Sequence, residues 1–244
     1  MFPTARVAQC GESGTDVRAA LRRACDLVAH LEKLSDSRDH RNTLKGRSAR
    51  RADYELRMAS DPEATSSAKH DLEPPVILVN KNDDPVGKAG KLAAHQPPGL
   101  LHRAVSVFLF SPAGALLIQR RSPAKYHFGG LWANSACTHP RIGESLFEAG
   151  RRALIDELGL STELDEVGSF RYRAVDPGSG LVEHELDHVL VGVHKGPPVP
   201  DPVEVDDWSW RYVDDLREQL AAHVDRYAPW LVEALRSFPD LAPT

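Results

Sequence analysis

Cysteine is scarce in this chain: Cys10, Cys25 and Cys137 are the only three in 244 residues. An odd, scattered set excludes a disulfide framework and points to a reducing compartment. No apolar run approaches the roughly 20 residues needed to span a bilayer, so no membrane-spanning helix is expected. The apolar core of a secretory signal is missing. Glu12, Asp16 and Asp26 are foreign to an organelle transit peptide, and a cytoplasmic location is expected. Positive charge is not in excess: 30 Lys and Arg against 35 Asp and Glu leave a formal charge of −5. That balance argues against a general nucleic-acid surface. Repeats and low-complexity blocks are absent too, which excludes solenoids and arrays. A monomer or weak homodimer is expected.

What is present fits an ordinary soluble protein, with 41% apolar and 27% charged residues and ample length for a core. Residues 1–73 stand apart. Val17, Leu21, Ala24, Val28, Leu31 and Leu34 have helical spacing, with Asp16 as a cap. Ser35 to Glu73 is polar, with basic residues at Arg47, Arg50 and Arg51. It is expected to be mostly disordered, because it buries too little to offset its ordering entropy. This extension reads as dispensable, or as a docking arm.

After Pro74 and Pro75 the pattern becomes that of one α/β domain over residues 74–240. Val76 to Val79 is a short buried strand, and Asn82 to Pro85 is a turn. Ala104 to Phe110 and Ala115 to Ile118 form a hairpin across Ser111–Gly114. Ser145 to Leu158 is a helix with a Ser145/Glu148 capping box, and Gly159 stands at its C-cap. Strands are expected over 166–175, 182–193 and 208–213, and closing helices over 214–223 and 228–236.

Chemistry concentrates in Leu131 to Glu144. In an extended segment, Cys137 and His139 point the same way, which sets a thiol beside a metal-ligating imidazole. Glu183 and Glu185 share one face of a strand, a costly pairing unless a cation or a proton neutralises it. With His95 and His102 they make three imidazoles and two carboxylates, a set suited to a first-row divalent metal. Each residue also has a purely structural reading: a buried thiol, loop histidines, the solvated face of an edge strand. Lys91, Arg121, Lys125, Arg152 and neighbouring cations cluster around the same segments. In a net-acidic chain they favour an anionic, phosphorylated substrate.

Glu144, Arg152, Asp156, Glu157 and Gly159 match the back half of a Nudix box. Thr138 stands where its leading glycine would be, and Ala153 replaces a glutamate used for hydrolysis. Taken with Lys91–His95, Leu101–Ala104, Gln119–Lys125, Leu131–Pro140, Phe170–Ala174, Glu183–Glu185 and Ala228–Trp230, the chain resembles type I isopentenyl-diphosphate Δ-isomerases. The matches run in order over about 160 residues.

The resemblance implies a Nudix-type α/β/α fold, a mixed sheet flanked by helices. It also implies interconversion of isopentenyl and dimethylallyl diphosphate. It makes His95, His102, His139, Glu183 and Glu185 ligands of one tightly held divalent metal, whether manganese, magnesium or zinc. Cys137 and Glu185 become the acid–base pair, with Tyr172 assisting. Glu157 and the Cys137 backbone would hold a magnesium ion on the diphosphate. Lys91, Arg121 and Lys125 would contact that diphosphate. The family often carries its second helix arginine at the place of Ala153; here the pair is Arg151 and Arg152, either of which could meet the substrate, and Arg152 is taken as the further contact. Trp132 and Trp230 would be aromatic walls. Two rivals stand beside this reading: a Nudix-type diphosphate hydrolase, and a metal-binding scaffold without activity.

Overall fold

The computed structural model describes residues 74–241. The expected N-terminal helix and the expected disorder before residue 74 lie outside these residues. The first strand, β1 (Val76–Val79), runs antiparallel to β2 (Pro85–Ala89). The turn between them closes on Asn80, whose side-chain oxygen accepts from the Asn82 and Asp84 amides at 2.8 and 3.1 Å. Strand β2 escapes sequence reading because it is almost wholly exposed and carries no apolar alternation. A short helix, α1 (Lys91–His95), follows it.

Strand β3 (His102–Phe110) organises the nine-stranded sheet. It is buried on both faces, as its near-continuous apolar run requires. It pairs in parallel with β8 (Val182–Val193) over nine registered residues, and antiparallel with the three-residue β6 (Ala136–Thr138). Strand β7 (Asp165–Val175) joins β8 as an antiparallel hairpin. On the other side β4 (Leu116–Arg121) pairs with β5 (Trp132–Ala133) and with β9 (Val205–Arg211).

The turn at Ser111–Gly114 forms as expected, with the Ser111 amide donating to the Ala115 carbonyl at 2.7 Å. The hairpin does not continue: β3 and β4 register at Phe110 and Leu116 alone. Each run is buried on two faces, and each finds its ladder with a distant strand instead. The last strand also lies earlier than its sequence pattern implies, because Val213 opens helix α3 (Val213–Ala222).

Alternation along β3 sorts the core into two layers. Val105, Val107 and Leu109 pack under helix α2 (Leu146–Ala153) with Ala149 and Leu154. Phe108 and Phe110 pack on the other face with Leu216 of α3 and with Trp230, Leu231 and Leu235 of α4 (Pro229–Ser237). Gly150 lets α2 approach the sheet, since a Cβ there would lie 2.9 Å from Leu190 Cδ1. Helix α2 runs on into a π-helical turn, Leu154–Leu158. Gly159 ends it at φ 68°, and a Cβ at that position would also meet the Val199 carbonyl at 2.8 Å.

The capping box is complete. The Glu148 amide donates to Ser145 Oγ at 3.2 Å, and the Ser145 amide donates to Glu148 Oε2 at 2.8 Å. Ser145→Ala should cost about 1 kcal/mol of stability, read as a lowered urea midpoint at constant slope.

Candidate active site

The layer between the sheet and α4 also carries the polar centre. Glu185 of β8 is registered with His102 of β3 on one side and Tyr172 of β7 on the other. Cross-strand neighbours of this kind face each other directly. Tyr172 donates to Glu185 Oε2 at 2.6 Å, and Oε1 lies 2.9 Å from His139 Nε2 and 3.4 Å from His102 Nε2. His95, at the end of α1, reaches Glu183 Oε2 at 3.0 Å. One ligand atom from each of His95, His102, His139, Glu183 and Glu185 lies within 4.8 Å of all the others.

Two features show that a divalent cation fits this set. His95 and His102 each turn Nδ1 to a backbone carbonyl, Lys91 at 2.7 Å and Leu100 at 2.8 Å. An imidazole that donates from Nδ1 presents the Nε2 lone pair inward. Despite their closeness, His95 Nε2 and Glu183 Oε2 lack hydrogen-bond geometry. Both stay without a partner among the described residues, although they are buried. An acceptor facing an acceptor in a dry site calls for positive charge between them.

At His95 burial lowers the imidazole, but the neighbouring Glu183 carboxylate outweighs burial and raises it above the ordinary value. Burial pushes His139 down to about 4, against its hydrogen bond to the Glu185 carboxylate, and so leaves it neutral. Burial alone would raise Glu183 and Glu185. The histidines bonded to each outweigh it and hold both carboxyls below their usual range.

Cys137 lies one row away, on β6, registered with Ser106 of β3. It packs against the same core layer as Tyr172, Phe128 and Trp230. Burial, then the charges of Asp187 and Glu185, push its thiol well above the ordinary value. Burial and the Glu185 charge do the same to Tyr172. Both groups therefore stay protonated and can give a proton. Trp230 is held in one plane by Nε1 donating to Asn134 Oδ1 at 3.0 Å and by the edge of Phe128, with ring centroids 5.6 Å apart. Trp132 is half-buried beside it, under the Arg120 guanidinium.

Glu157 is half-buried, and its charge acts on Cys137. Burial raises it to about 7, with Lys125 and Arg121 among the charges acting on it. Gln119 Nε2 donates to its Oε2 at 2.7 Å. Lys125 pairs with Glu204. Arg121 lies 5.1 Å above Trp230 and donates to the carbonyls of Phe128 and His127 at 3.2 and 3.3 Å. Arg152 is engaged by Glu144 at 2.8 and 2.9 Å and by the His139 carbonyl at 3.1 Å. Arg151 instead lies on the outer surface, 3.8 Å from Glu163.

Residues 100–231 match the NUDIX domain family. The chain is 48% identical over 164 residues to isopentenyl-diphosphate Delta-isomerase 2 of Aromatoleum aromaticum, covering 67% of this chain and 86% of that one. The chain belongs to the isopentenyl-diphosphate Δ-isomerase family. The isomerase of Nocardia farcinica is 48% identical over 66% of this chain and 92% of its own. That of Streptomyces griseus is 50% identical over 59% and 74%. In structure, a protein from Deinococcus radiodurans superposes at a TM-score of 0.55 with 24% identity, over 67% of this chain and 98% of its own, and so shares this fold.

Three site residues escape a sequence reading of this isomerase. His127 Nε2 lies 2.6 Å from Glu183 Oε1, but it comes from the loop after β4, with no spacing that ties it to the other histidines. Ser106 Oγ lies 2.9 Å from Cys137 Sγ and donates to Asp187 Oδ2 at 2.6 Å. Here the sequence does carry a signal. Asp187 extends the alternation of Glu183 and Glu185, and Ser106 is the polar interruption of an apolar strand.

Proposed function

We propose that this protein interconverts isopentenyl and dimethylallyl diphosphate, with Cys137 and Glu185 as the two proton-handling groups. The observation that carries the reading is the placement of Glu185, with its Tyr172 donor, and Cys137 in one buried layer against Trp230. The reaction adds a proton at one carbon of a five-carbon chain and removes one from another. An alkene is a weak base, so the path passes through a tertiary, carbocation-like state. Two acid–base groups on opposite sides of the chain serve both steps. The Trp230 face stabilises the positive carbon, and the apolar layer keeps out water that would capture it as an alcohol.

His95, His102, His139, Glu183 and Glu185 would hold a divalent metal: manganese, magnesium or zinc. Bound there, it supplies positive charge that sets the proton affinity of Glu185 and Tyr172. Glu157, with the Cys137 carbonyl, would hold magnesium on the diphosphate, and Lys91, Lys125, Arg121 and Arg152 would frame that charged end. The partner is thus a small isoprenoid diphosphate. Among the described residues no helix is long and apolar enough to cross a membrane.

His127→Ala removes the hydrogen bond at Glu183 Oε1. It should weaken divalent-metal binding about 10- to 100-fold, measured by manganese titration calorimetry. The assay that tests the function is incubation of purified protein with isopentenyl diphosphate and magnesium. Dimethylallyl diphosphate should form without phosphate release. Release of phosphate instead would favour a hydrolase. Ala153 speaks against that outcome, because it supplies no carboxylate to activate water.

A further inference from the structure

Behind the Cys137 sulfur lies a buried polar pair that the reaction as described leaves unused. Ser106 and Asp187 are fully buried on the inner face of the sheet. Ser106 is the registered neighbour of Cys137, so the two side chains meet by strand pairing rather than by loop geometry. Its hydroxyl donates to Asp187 Oδ2 at 2.6 Å and stands 2.9 Å from Cys137 Sγ. Both residues lie on strands, and β3 and β8 are joined by nine registered pairs.

A buried serine and aspartate carry a desolvation cost that two aliphatic residues would avoid. Asp187 Oδ1 has no partner among the described residues, so the pair is not even fully satisfied. The contact it does make ends on the sulfur.

We propose that Ser106, anchored by Asp187, is the positioning residue for the Cys137 thiol. The inference rests on the reading of Cys137 as an acid–base group. A hydroxyl both accepts and donates. Its single hydrogen is committed to Asp187 Oδ2, so Ser106 turns a lone pair to the sulfur and accepts from the thiol. The protonated sulfur is thereby held in one position beside Ser106. A thiol makes weak hydrogen bonds and has three χ1 wells, so without such a partner it would swing out of line with the five-carbon chain.

The test compares Ser106→Ala and Asp187→Ala with Cys137→Ala in the metal-loaded enzyme. Loss of alignment on this scale should lower kcat about 10- to 100-fold in the first two variants, with KM held within about threefold. The solvent deuterium isotope effect on kcat should rise, because proton transfer becomes more limiting. A purely structural role would lower melting temperature and leave that isotope effect unmoved. Wild-type kcat in both variants, with Cys137→Ala inactive, would overturn the positioning role alone. An active Cys137→Ala would overturn the acid–base reading, and the inference with it.

Discussion

Cys137→Ala is expected to lower turnover by about 10³-fold or more, close to 4 kcal/mol of transition-state stabilisation. Manganese binding should be unchanged, because the sulfur lies a strand row away from the three imidazoles and two carboxylates. The fold should survive as well. Cys137 is half-buried, its backbone is held by β3, and the change removes one sulfur atom. Isomerisation assays beside metal titration separate the two effects: activity is lost while the cation stays. A variant that turned over normally would remove the thiol from the mechanism.

Glu185→Gln should be equally inactive but should fail differently. Glu185 meets three side chains at once, Tyr172, His102 and His139, and it supplies half the negative charge of the buried centre. An amide keeps the shape and can still accept from Tyr172, yet it has no charge to offer a cation and no basic oxygen to take a proton. Turnover should fall by at least about 10³-fold. Divalent-metal affinity should fall with it by more than tenfold, which calorimetry reads directly. Loss of activity without loss of metal would place Glu185 in proton transfer alone.

Much of this site is legible in the sequence because strand alternation is a local rule. Glu183 and Glu185 must share a face, and the structure puts them on one. The capping box, Gly159 and the helix between them are local too, and they form nearly where the residues indicate. What escapes is long-range pairing. The run Ala104–Phe110 reads as half of a hairpin, but its ladder is parallel to a strand 83 residues further on, through pairs such as Ser106 with Val189. Only that ladder carries Ser106 to Asp187 and His102 to Glu185, and no local pattern encodes it. His127 is hidden for a related reason: a loop residue has no period.

The cations show a different limit. Lys and Arg near a phosphate-like motif suggest substrate contact, but charge type does not reveal the partner. Arg152 holds Glu144 and the His139 carbonyl, and Arg121 ties its loop to Trp230. Both brace the walls of the site as well as lending it charge.

The decisive measurement is turnover of isopentenyl diphosphate in deuterated water, with the product followed by NMR and mass spectrometry. A pocket whose acid exchanges with solvent between turnovers and then closes over the substrate should yield dimethylallyl diphosphate with deuterium in the methyl group formed from the terminal methylene, and no tertiary alcohol. Product without deuterium, or substrate returned as alcohol or as free phosphate, would contradict it.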